Sequence, residues 1–247
     1  MTSTSHAPIL IFGGAGGIGE ALARRLKAGG RSVAITSRSV ERIGALANKI
    51  GAQSIICDVL EEASIKGACE AASRDGQLGG LVYAVGSIAL KPLARTTADD
   101  MAMAYRLNVI GAVLAIQAAT SALKAAAGSV VLFSSVAARQ GFPNHAAIGS
   151  AKAAIEGLTL SLAAELAPSV RVNALAPSLT VTPLSASLTQ NTMVASGIAA
   201  LHPIQRLGTA DEMAALAQFL LSSDAGWLTG QIIGVDGGRS SLRIGKA

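Results

Sequence analysis

A glycine-rich stretch near the start of the chain constrains the fold more than any other feature. Five of the eight residues in segment 12–19 (FGGAGGIG) are glycine, and the apolar run 9–11 precedes them. Apolar side chains then recur at helical spacing, at Ala21, Leu22 and Leu26. A buried strand that turns through glycines into a helix allows a phosphate to approach the helix N-terminus closely. The segment therefore predicts a binding loop for the pyrophosphate of a dinucleotide.

The rest of the chain alternates between strand-like and helix-like segments. Short apolar runs predict seven strands, at 8–12, 32–36, 54–57, 80–85, 129–133, 170–174 and 232–235. Strands that alternate with helices pair in parallel, and right-handed crossovers place helices on both faces of the sheet. We therefore expect a single-domain α/β Rossmann fold over residues 1–247, with a doubly wound, seven-stranded parallel sheet.

Composition excludes several other classes of protein. Hydrophobic residues make up 51% of the chain and charged residues only 14%, which is unlike a disordered protein. No apolar run is predicted to span a bilayer, and no segment reads as a signal peptide. Cys57 and Cys69 form neither a disulfide framework nor a metal-ligand pattern, so we expect two buried thiols and no metal. These observations favour a cytoplasmic protein without a membrane partner.

The net charge of +5 is concentrated at one end of the chain. The first 50 residues carry seven Lys or Arg and two Glu, whereas the remaining residues carry thirteen basic and thirteen acidic side chains. The excess is either a solvated basic face or an attraction for an anionic ligand. Nucleic acid is not expected, because aromatic residues do not interleave with the basic ones and no nucleic-acid-binding motif is present.

Motifs along the whole chain resemble the short-chain dehydrogenase/reductase family. The glycine spacing is GxxxGxG, at Gly13, Gly17 and Gly19. The matches continue at Asp58-Val59, Asn108, Ser134-Ser135, Lys152, the segment 173–177, Thr182-Pro183, the segment 229–231 and the segment 235–238. The resemblance implies a nicotinamide dinucleotide cofactor, a small-molecule substrate, and assembly as a homotetramer or homodimer.

The resemblance also implies roles for individual residues. It assigns catalysis to Ser135 and Lys152, with Asn108 in support. The residues expected to contact the cofactor, including the pair that follows the second strand, are Gly13, Gly17, Ile18, Gly19, Ser37, Arg38, Asp58, Val59, Ala84, Gly86, Lys152, Pro177 and Thr182. The chain departs from the family pattern at Phe12 (usually Thr), Tyr83 (usually Asn) and Ser178 (usually Gly).

The residues that follow the second strand select the form of the cofactor. An NAD-binding protein needs a carboxylate there to accept a hydrogen bond from the ribose 2′-hydroxyl. This chain has Ser37-Arg38, and an arginine pairs with the 2′-phosphate that a carboxylate would repel. The sequence therefore predicts NADP(H), although Arg38 can also be read as an ordinary surface arginine.

The family's proton donor is a tyrosine four residues before the lysine, and this chain has Ile148 there. Ser135 lies thirteen residues before Ile148, as the family spacing requires, so the register is intact. Tyr83 and Tyr105 are predicted to be structural. His145, three residues before Ile148, is either a residue at the start of the helix or a replacement acid.

Three functions remain open from the sequence. The first is an NADP(H)-dependent oxidoreductase that transfers hydride to a carbonyl, an imine or a similar electrophile. The second is a nucleotide-binding protein without turnover, such as a redox sensor or an inactive subunit. The third is a non-redox isomerase or cyclase on the same fold. The segment 178–207 is rich in Ser, Thr and Pro and irregular in pattern, and we expect it to be a mobile substrate lid.

Overall fold

Seven parallel strands form one sheet in the computed structural model, which describes residues 7–243. Alternate residues of the first strand enter opposite core clusters, so the strand is buried on both faces and reads as a continuous apolar run. The strands are β1 (Ile9–Phe12), β2 (Val33–Ser37), β3 (Gln53–Ile56), β4 (Gly80–Tyr83), β5 (Ser129–Phe133), β6 (Arg171–Pro177), β7 (Thr180–Val181), β8 (Gly208–Thr209) and β9 (Ile232–Val235).

The strand order confirms the predicted topology. The large sheet runs β3-β2-β1-β4-β5-β6-β9, and β7 and β8 form a separate pair. All seven predicted strands are present in this sheet, with ends that differ by three residues at most. The order reverses between β1 and β4, and ligands of such sheets bind in the crevice beyond the carboxyl ends of these strands.

Helices cover both faces of the sheet. One core cluster joins it to α1, α2 and α9, and the other joins it to α3, α5 and α6. The helices are α1 (Gly17–Ala28), α2 (Val40–Ile50), α3 (Glu62–Ala72), α4 (Ala98–Tyr105), α5 (Gly111–Ala125), α6 (Ala146–Leu166), α7 (Ala186–Thr189), α8 (Thr192–Ala199) and α9 (Ala210–Leu221). The fold is therefore the expected single-domain, doubly wound α/β arrangement.

A π-helical turn, Arg106–Ile110, joins α4 to α5 into one helical stretch, Ala98–Ala125. By length and composition this stretch is apolar enough to cross a membrane, which the reading of the sequence did not anticipate. Scattered polar residues such as Asn108 interrupt its apolar runs. Its inner face, including Ile116 and Leu123, is buried in the core cluster of the sheet, and this packing accounts for the apolar character of that face.

The segment 178–207 is more ordered than its composition predicted. It contains β7, a 3-10 turn (Pro183–Ser185), α7 and α8. The Thr182 side chain caps the 3-10 turn reciprocally with Ser185, and the Asn191 side chain caps α8 by accepting from the backbone N–H of Val194. Ser, Thr and Asn therefore act here as helix caps rather than as markers of an irregular loop.

Candidate active site

The glycine loop forms a cradle at the carboxyl end of β1. Gly13 has a φ of 77°, in the left-handed region that favours glycine. A Cβ atom on Gly19 would overlap the Gly13 carbonyl oxygen, so only glycine permits this approach of helix to loop. Gly16 precedes α1 without a side-chain cap, which leaves the first N–H groups of the helix available to an anion. The pyrophosphate of a dinucleotide fits this cradle.

The beginning of the segment 178–207 lies against the same cradle. A Cβ atom on Gly17 would lie 2.8 Å from Thr182 Cβ and 3.0 Å from Pro183 Cδ. Ile18, Pro177 and Thr182 line the cavity next to the loop. These predicted cofactor residues therefore converge on one place, although they come from α1, β6 and the connection after β7.

Two arginines flank the cradle on the side of β2 and α2. Arg38 is exposed at the end of β2, and the Ser37 hydroxyl accepts a hydrogen bond from the Ser39 N–H at 3.1 Å. Arg42, in the first turn of α2, donates from Nη2 to the carbonyl oxygen of Ala15 at 3.1 Å. Its guanidinium therefore lies beside the glycine loop. Sequence reasoning counted Arg42 only as part of the basic excess and missed this contact.

Asp58 and Val59 follow β3 and are held by local contacts. The Asp58 Oδ1 accepts from the Leu60 N–H at 3.0 Å, and the Asp58 N–H donates to the Ser64 hydroxyl at 3.1 Å. Val59 is buried, and its side chain belongs to a core cluster. These contacts use Asp58 Oδ1 and not Oδ2. Because the Val59 side chain is buried, only the backbone of Val59 can contact a ligand.

Three predicted residues meet beyond the end of β4. A Cβ atom on Gly86 would lie 3.1 Å from Asn108 Oδ1 and 3.5 Å from Lys152 Nζ. Asn108 is buried in the π-helical turn, and its Nδ2 donates to the Ala104 carbonyl at 2.9 Å. Its Oδ1 has no hydrogen-bond partner among residues 7–243. A buried acceptor without a partner is rare and indicates that a ligand or water completes the site.

Lys152 belongs to α6 and reaches back to the sheet. Its ammonium donates to the carbonyl oxygen of Phe133, the last residue of β5, at 2.8 Å. Burial in this apolar wall lowers the lysine pKa to about 8, because desolvation disfavours the charged form. Ala84, which follows β4 directly, also lines the cavity, and its N–H donates to the carbonyl of Phe12 at 3.0 Å.

Ser135 and Ile148 complete the predicted catalytic set. Ser135 follows β5, and its Oγ accepts from the Ala137 N–H at 3.1 Å. That bond uses a lone pair of the hydroxyl and leaves its proton for a ligand. Ile148 is buried one helical turn before Lys152, and both line the cavity. An isoleucine side chain neither donates nor accepts a proton.

Neither tyrosine lies where the family's proton donor is expected, and His145 lies beside the start of α6. The Tyr83 hydroxyl donates to the Leu107 carbonyl at 2.7 Å, and its ring lies 5.8 Å from that of Phe12. Two departures from the family pattern thus contact each other. Burial raises the pKa of Tyr83 well above its usual range, so this phenol keeps its proton. Tyr105 packs against an alanine cluster, while His145 immediately precedes α6 and lines the cavity.

A cavity of about 420 Å³ connects the cradle to the catalytic residues. Its wall runs from Ile18 in α1 to Ser135, Ile148 and Lys152, and most of the remaining lining is apolar. Leu188 and Ile198 of α7 and α8 close it on the side of the segment 178–207. This volume is typical of sites that bind small molecules.

The cysteines lie away from this cavity. Cys57 and Cys69 are buried free thiols, as the sequence predicted, and Cys69 has its pKa raised to about 12 by burial. Within the part of the chain that the structure describes, no group of three His, Cys, Asp or Glu side chains is placed to hold a metal ion.

Sequence reasoning also missed a polar group at the far wall of the cavity. Ser178 and Arg239 both line it, and the Ser178 hydroxyl contacts the buried His202. The only signal was the serine at a position where the family usually has glycine. Arg239 lies 61 residues from Ser178, and no local pattern marks that contact.

Known proteins resemble this chain over most of its length. The family profile described as "Enoyl-(Acyl carrier protein) reductase" matches residues 13–240. The chain is 32% identical over 238 residues to "Carbonyl reductase family member 4" of Danio rerio, covering 94% of this chain and 98% of that protein. It is 33% identical over 219 residues to "Inactive 2-(S)-hydroxypropyl-CoM dehydrogenase 2" of Xanthobacter autotrophicus, covering 86% and 93%.

Solved structures show the same relationship. A short-chain type dehydrogenase/reductase from Mycobacterium ulcerans superposes with a TM-score of 0.92 at 31% identity, covering 98% of this chain and 92% of that one. The nearly complete profile match, the relatives above 30% identity and the structural superposition all support one assignment. The chain belongs to the short-chain dehydrogenase/reductase family of oxidoreductases, which use nicotinamide dinucleotide cofactors.

Proposed function

We propose that this protein is an NADP(H)-dependent oxidoreductase that transfers hydride to a carbonyl, an imine or a similar electrophilic carbon of a small molecule. The observation that carries the proposal is the single cavity that joins the glycine cradle to Ser135 and Lys152. The unpartnered Asn108 Oδ1 beside Lys152 Nζ supports it, because this pair needs a polar ligand to be complete.

The preference for NADP(H) is supported by the charges beside the cradle. Arg38 is exposed at the end of β2, and Arg42 lies against the glycine loop. Arg38 stands where a carboxylate would favour NAD(H), and a guanidinium pairs well with a phosphate monoester. The concentration of positive charge in the first 50 residues adds to the attraction for the extra phosphate.

Side chains of this protein bind the substrate oxygen and supply the proton that the reaction needs. A bound nicotinamide supplies the hydride. The Ser135 hydroxyl, with its proton free, is positioned to donate to the substrate oxygen. The Lys152 ammonium has a pKa of about 8 and therefore carries a proton at neutral pH. We propose that Ile148 occupies the family's tyrosine position, so that a water between Ser135 and Lys152 gives a proton to the substrate oxygen and takes one from the Lys152 ammonium.

One observation favours a second candidate, a nucleotide-binding protein without turnover. Ile148 is buried at the point where the proposal requires a proton donor, and its apolar side chain cannot donate a proton. The relative from Xanthobacter carries the word "Inactive" in its name. In that case the cradle binds NADP(H), and the cavity has a regulatory rather than a catalytic role.

The variant Ile148→Tyr tests the proposal. Ile148 and Lys152 lie one turn apart on α6, so a phenol there would enter the same cavity and meet the lysine charge. We expect the variant to oxidise NADPH with simple aldehydes and ketones about a hundredfold faster than the parent, the usual contribution of a positioned proton donor. NADPH consumption is followed by absorbance.

Ile148→Phe is the matched control, because it adds the same ring without the hydroxyl and should gain nothing. Turnover in the parent that is lost in Lys152→Met supports an active reductase. If both Ile148 variants bind NADPH and neither reduces any carbonyl, the carbonyl-reductase proposal is wrong and the binding protein is the better account.

The remaining expectations concern partners. We propose a small-molecule substrate and a homodimer or homotetramer. The exposed apolar side chains of Leu160, on α6, and Trp227, which is 99% exposed, suit a subunit interface.

A further inference from the structure

Arg239 follows a turn that favours glycine. Gly237 and Gly238 follow β9 with φ values of 62° and 85°, in the left-handed region. Arg239 follows this turn directly and lines the same cavity as Ser135 and Lys152. The arginine therefore belongs to the wall of the proposed substrate site although it lies near the end of the chain.

Three contacts hold Arg239 in place. Its guanidinium carbon lies 4.9 Å from the centroid of the Phe142 ring, a cation–π contact. Its Nη1 donates to the Ser178 hydroxyl at 3.3 Å. The Gln140 side chain donates from Nε2 to the Arg239 carbonyl oxygen at 3.1 Å, which fixes the backbone. The side chain is thus positioned before any ligand arrives.

The Ser178 hydroxyl is oriented by the residues behind it. The buried His202 contacts the Ile198 carbonyl through Nδ1 at 2.9 Å and the Ser178 hydroxyl through Nε2 at 2.8 Å. A carbonyl only accepts, so Nδ1 carries the proton in a neutral imidazole and Nε2 accepts from Ser178. The serine oxygen then presents its lone pairs to Arg239. The family's usual glycine would lack this acceptor.

No carboxylate among residues 7–243 forms an ion pair with Arg239. The four ion pairs in this part of the chain involve other arginines and a lysine. The charge of Asp236 attracts Arg239 through space, but its carboxylate accepts from the N–H groups of Gly238 and Ser240 and from the Ser240 hydroxyl instead of from the guanidinium. Only one of the five guanidinium N–H donors has a protein acceptor in these residues.

The charge of the cavity wall is one-sided. Arg239 and Lys152 line it, whereas no Asp or Glu does among the described residues, and the rest of the wall is mostly apolar. Burial lowers the pKa of Arg239 by more than the charge of Asp236 raises it, a sign that the guanidinium is partly desolvated. A partly desolvated cation that no carboxylate contacts directly is costly, and an anionic ligand offsets that cost.

We infer that Arg239 binds the carboxylate of an apolar organic acid in this cavity. The planar guanidinium offers paired N–H donors to a carboxylate, and the apolar wall accepts the rest of the molecule. The inference rests on the proposed function only in taking this acid to be the substrate. It makes Arg239 a specificity-determining residue and Ser178 its positioning residue.

Calorimetry with octanoate and octanamide tests the inference. The two probes share a shape and differ in charge. We expect the full-length parent protein to bind octanoate at least tenfold more tightly than octanamide. Arg239→Gln should abolish that preference while leaving octanamide unchanged. Equal affinities of the parent for the two probes, or a preference that survives in Arg239→Gln, would overturn the inference.

Arg243→Gln is the matched control, since it removes the same charge from an exposed residue four positions away. It should retain the preference, and an equal loss in both variants would mean that only the general positive field attracts the acid. Ser178→Ala gives a milder second variant, with a severalfold loss for octanoate alone. It keeps the test available if Arg239→Gln does not fold.

The outcomes separate this inference from the proposed function. Binding is measured without NADPH and needs no turnover. A preference for octanoate without any NADPH oxidation would support the binding of acids by Arg239 and contradict the proposed reductase activity. Carbonyl reduction without a preference for octanoate would support the reductase activity and contradict the binding of acids by Arg239.

Discussion

Arg38 and Arg42 differ in what they contact, and this difference gives a prediction at the scale of single residues. Arg38 is exposed, with its guanidinium available to a 2′-phosphate, whereas Arg42 already donates to the Ala15 carbonyl. Arg38→Ala should weaken NADPH binding by about 1.5–3 kcal/mol, the value of hydrogen bonds to a charged group. It should leave NADH binding nearly unchanged. Calorimetric titration of both cofactors at low salt measures this.

Arg42→Ala is the comparison that makes the result specific. It removes an equal charge from the same region, and its effect should be smaller for NADPH and similar for both cofactors, because Arg42 supports the loop. Equal affinities of the parent for NADPH and NADH would contradict the assignment of NADP(H).

Individual site residues were predictable where a local motif marks them. Gly13, Gly17 and Gly19 follow from the spacing of the glycine loop, and the structure shows the close approach that requires them. Arg239 was not predictable, because its contacts with Phe142 and Ser178 form only when distant segments pack together. The role of an unpaired arginine is visible only once its surroundings are known.

Secondary structure elements were predictable to the extent that their periodicity is local. All seven strands of the large sheet follow from short apolar runs. The π-helical turn Arg106–Ile110 does not, since no residue pattern in it marks the extra residue per turn. A contact from another element accompanies it: the hydroxyl of Tyr83, on β4, donates to the carbonyl of Leu107 within the turn. The turn places Asn108 beside Lys152.

The segment 178–207 gives a prediction at the scale of elements. Thr182 and Pro183 lie against Gly17, where the pyrophosphate is expected, and α7 and α8 close the cavity. A bound cofactor should therefore hold this segment in place. We expect amide hydrogen exchange across α7 and α8 to slow several-fold when NADPH is added.

Helix α9 serves as the internal control, because it packs against α1 and does not line the cavity. Its exchange should be the same with and without the cofactor. Unchanged exchange in α7 and α8 at saturating NADPH would identify the segment as a static wall rather than a lid.

For the whole molecule, the buried titratable groups connect the cavity to global stability. Burial raises the pKa values of Cys57, Cys69 and Tyr83, and it lowers the pKa of Lys152. The thiols and the phenol lose their protons more easily in the unfolded chain, so they reduce stability as the pH rises. The contribution of Lys152 has the opposite sign and increases stability as the pH rises. Without cofactor, its buried charge is a fixed penalty at neutral pH.

The variant Lys152→Met isolates this contribution. Between a pH of about 8, where the folded lysine titrates, and its ordinary value of 10.5, the unfolded chain binds a proton that the folded protein has released. The stability of the parent relative to the variant should therefore rise with pH, by about 2 kcal/mol between pH 7 and pH 10. The effects of Cys57, Cys69 and Tyr83 are common to both proteins and cancel. Urea unfolding of both cofactor-free proteins across this range measures the difference, and a constant difference would show that Lys152 keeps its ordinary pKa.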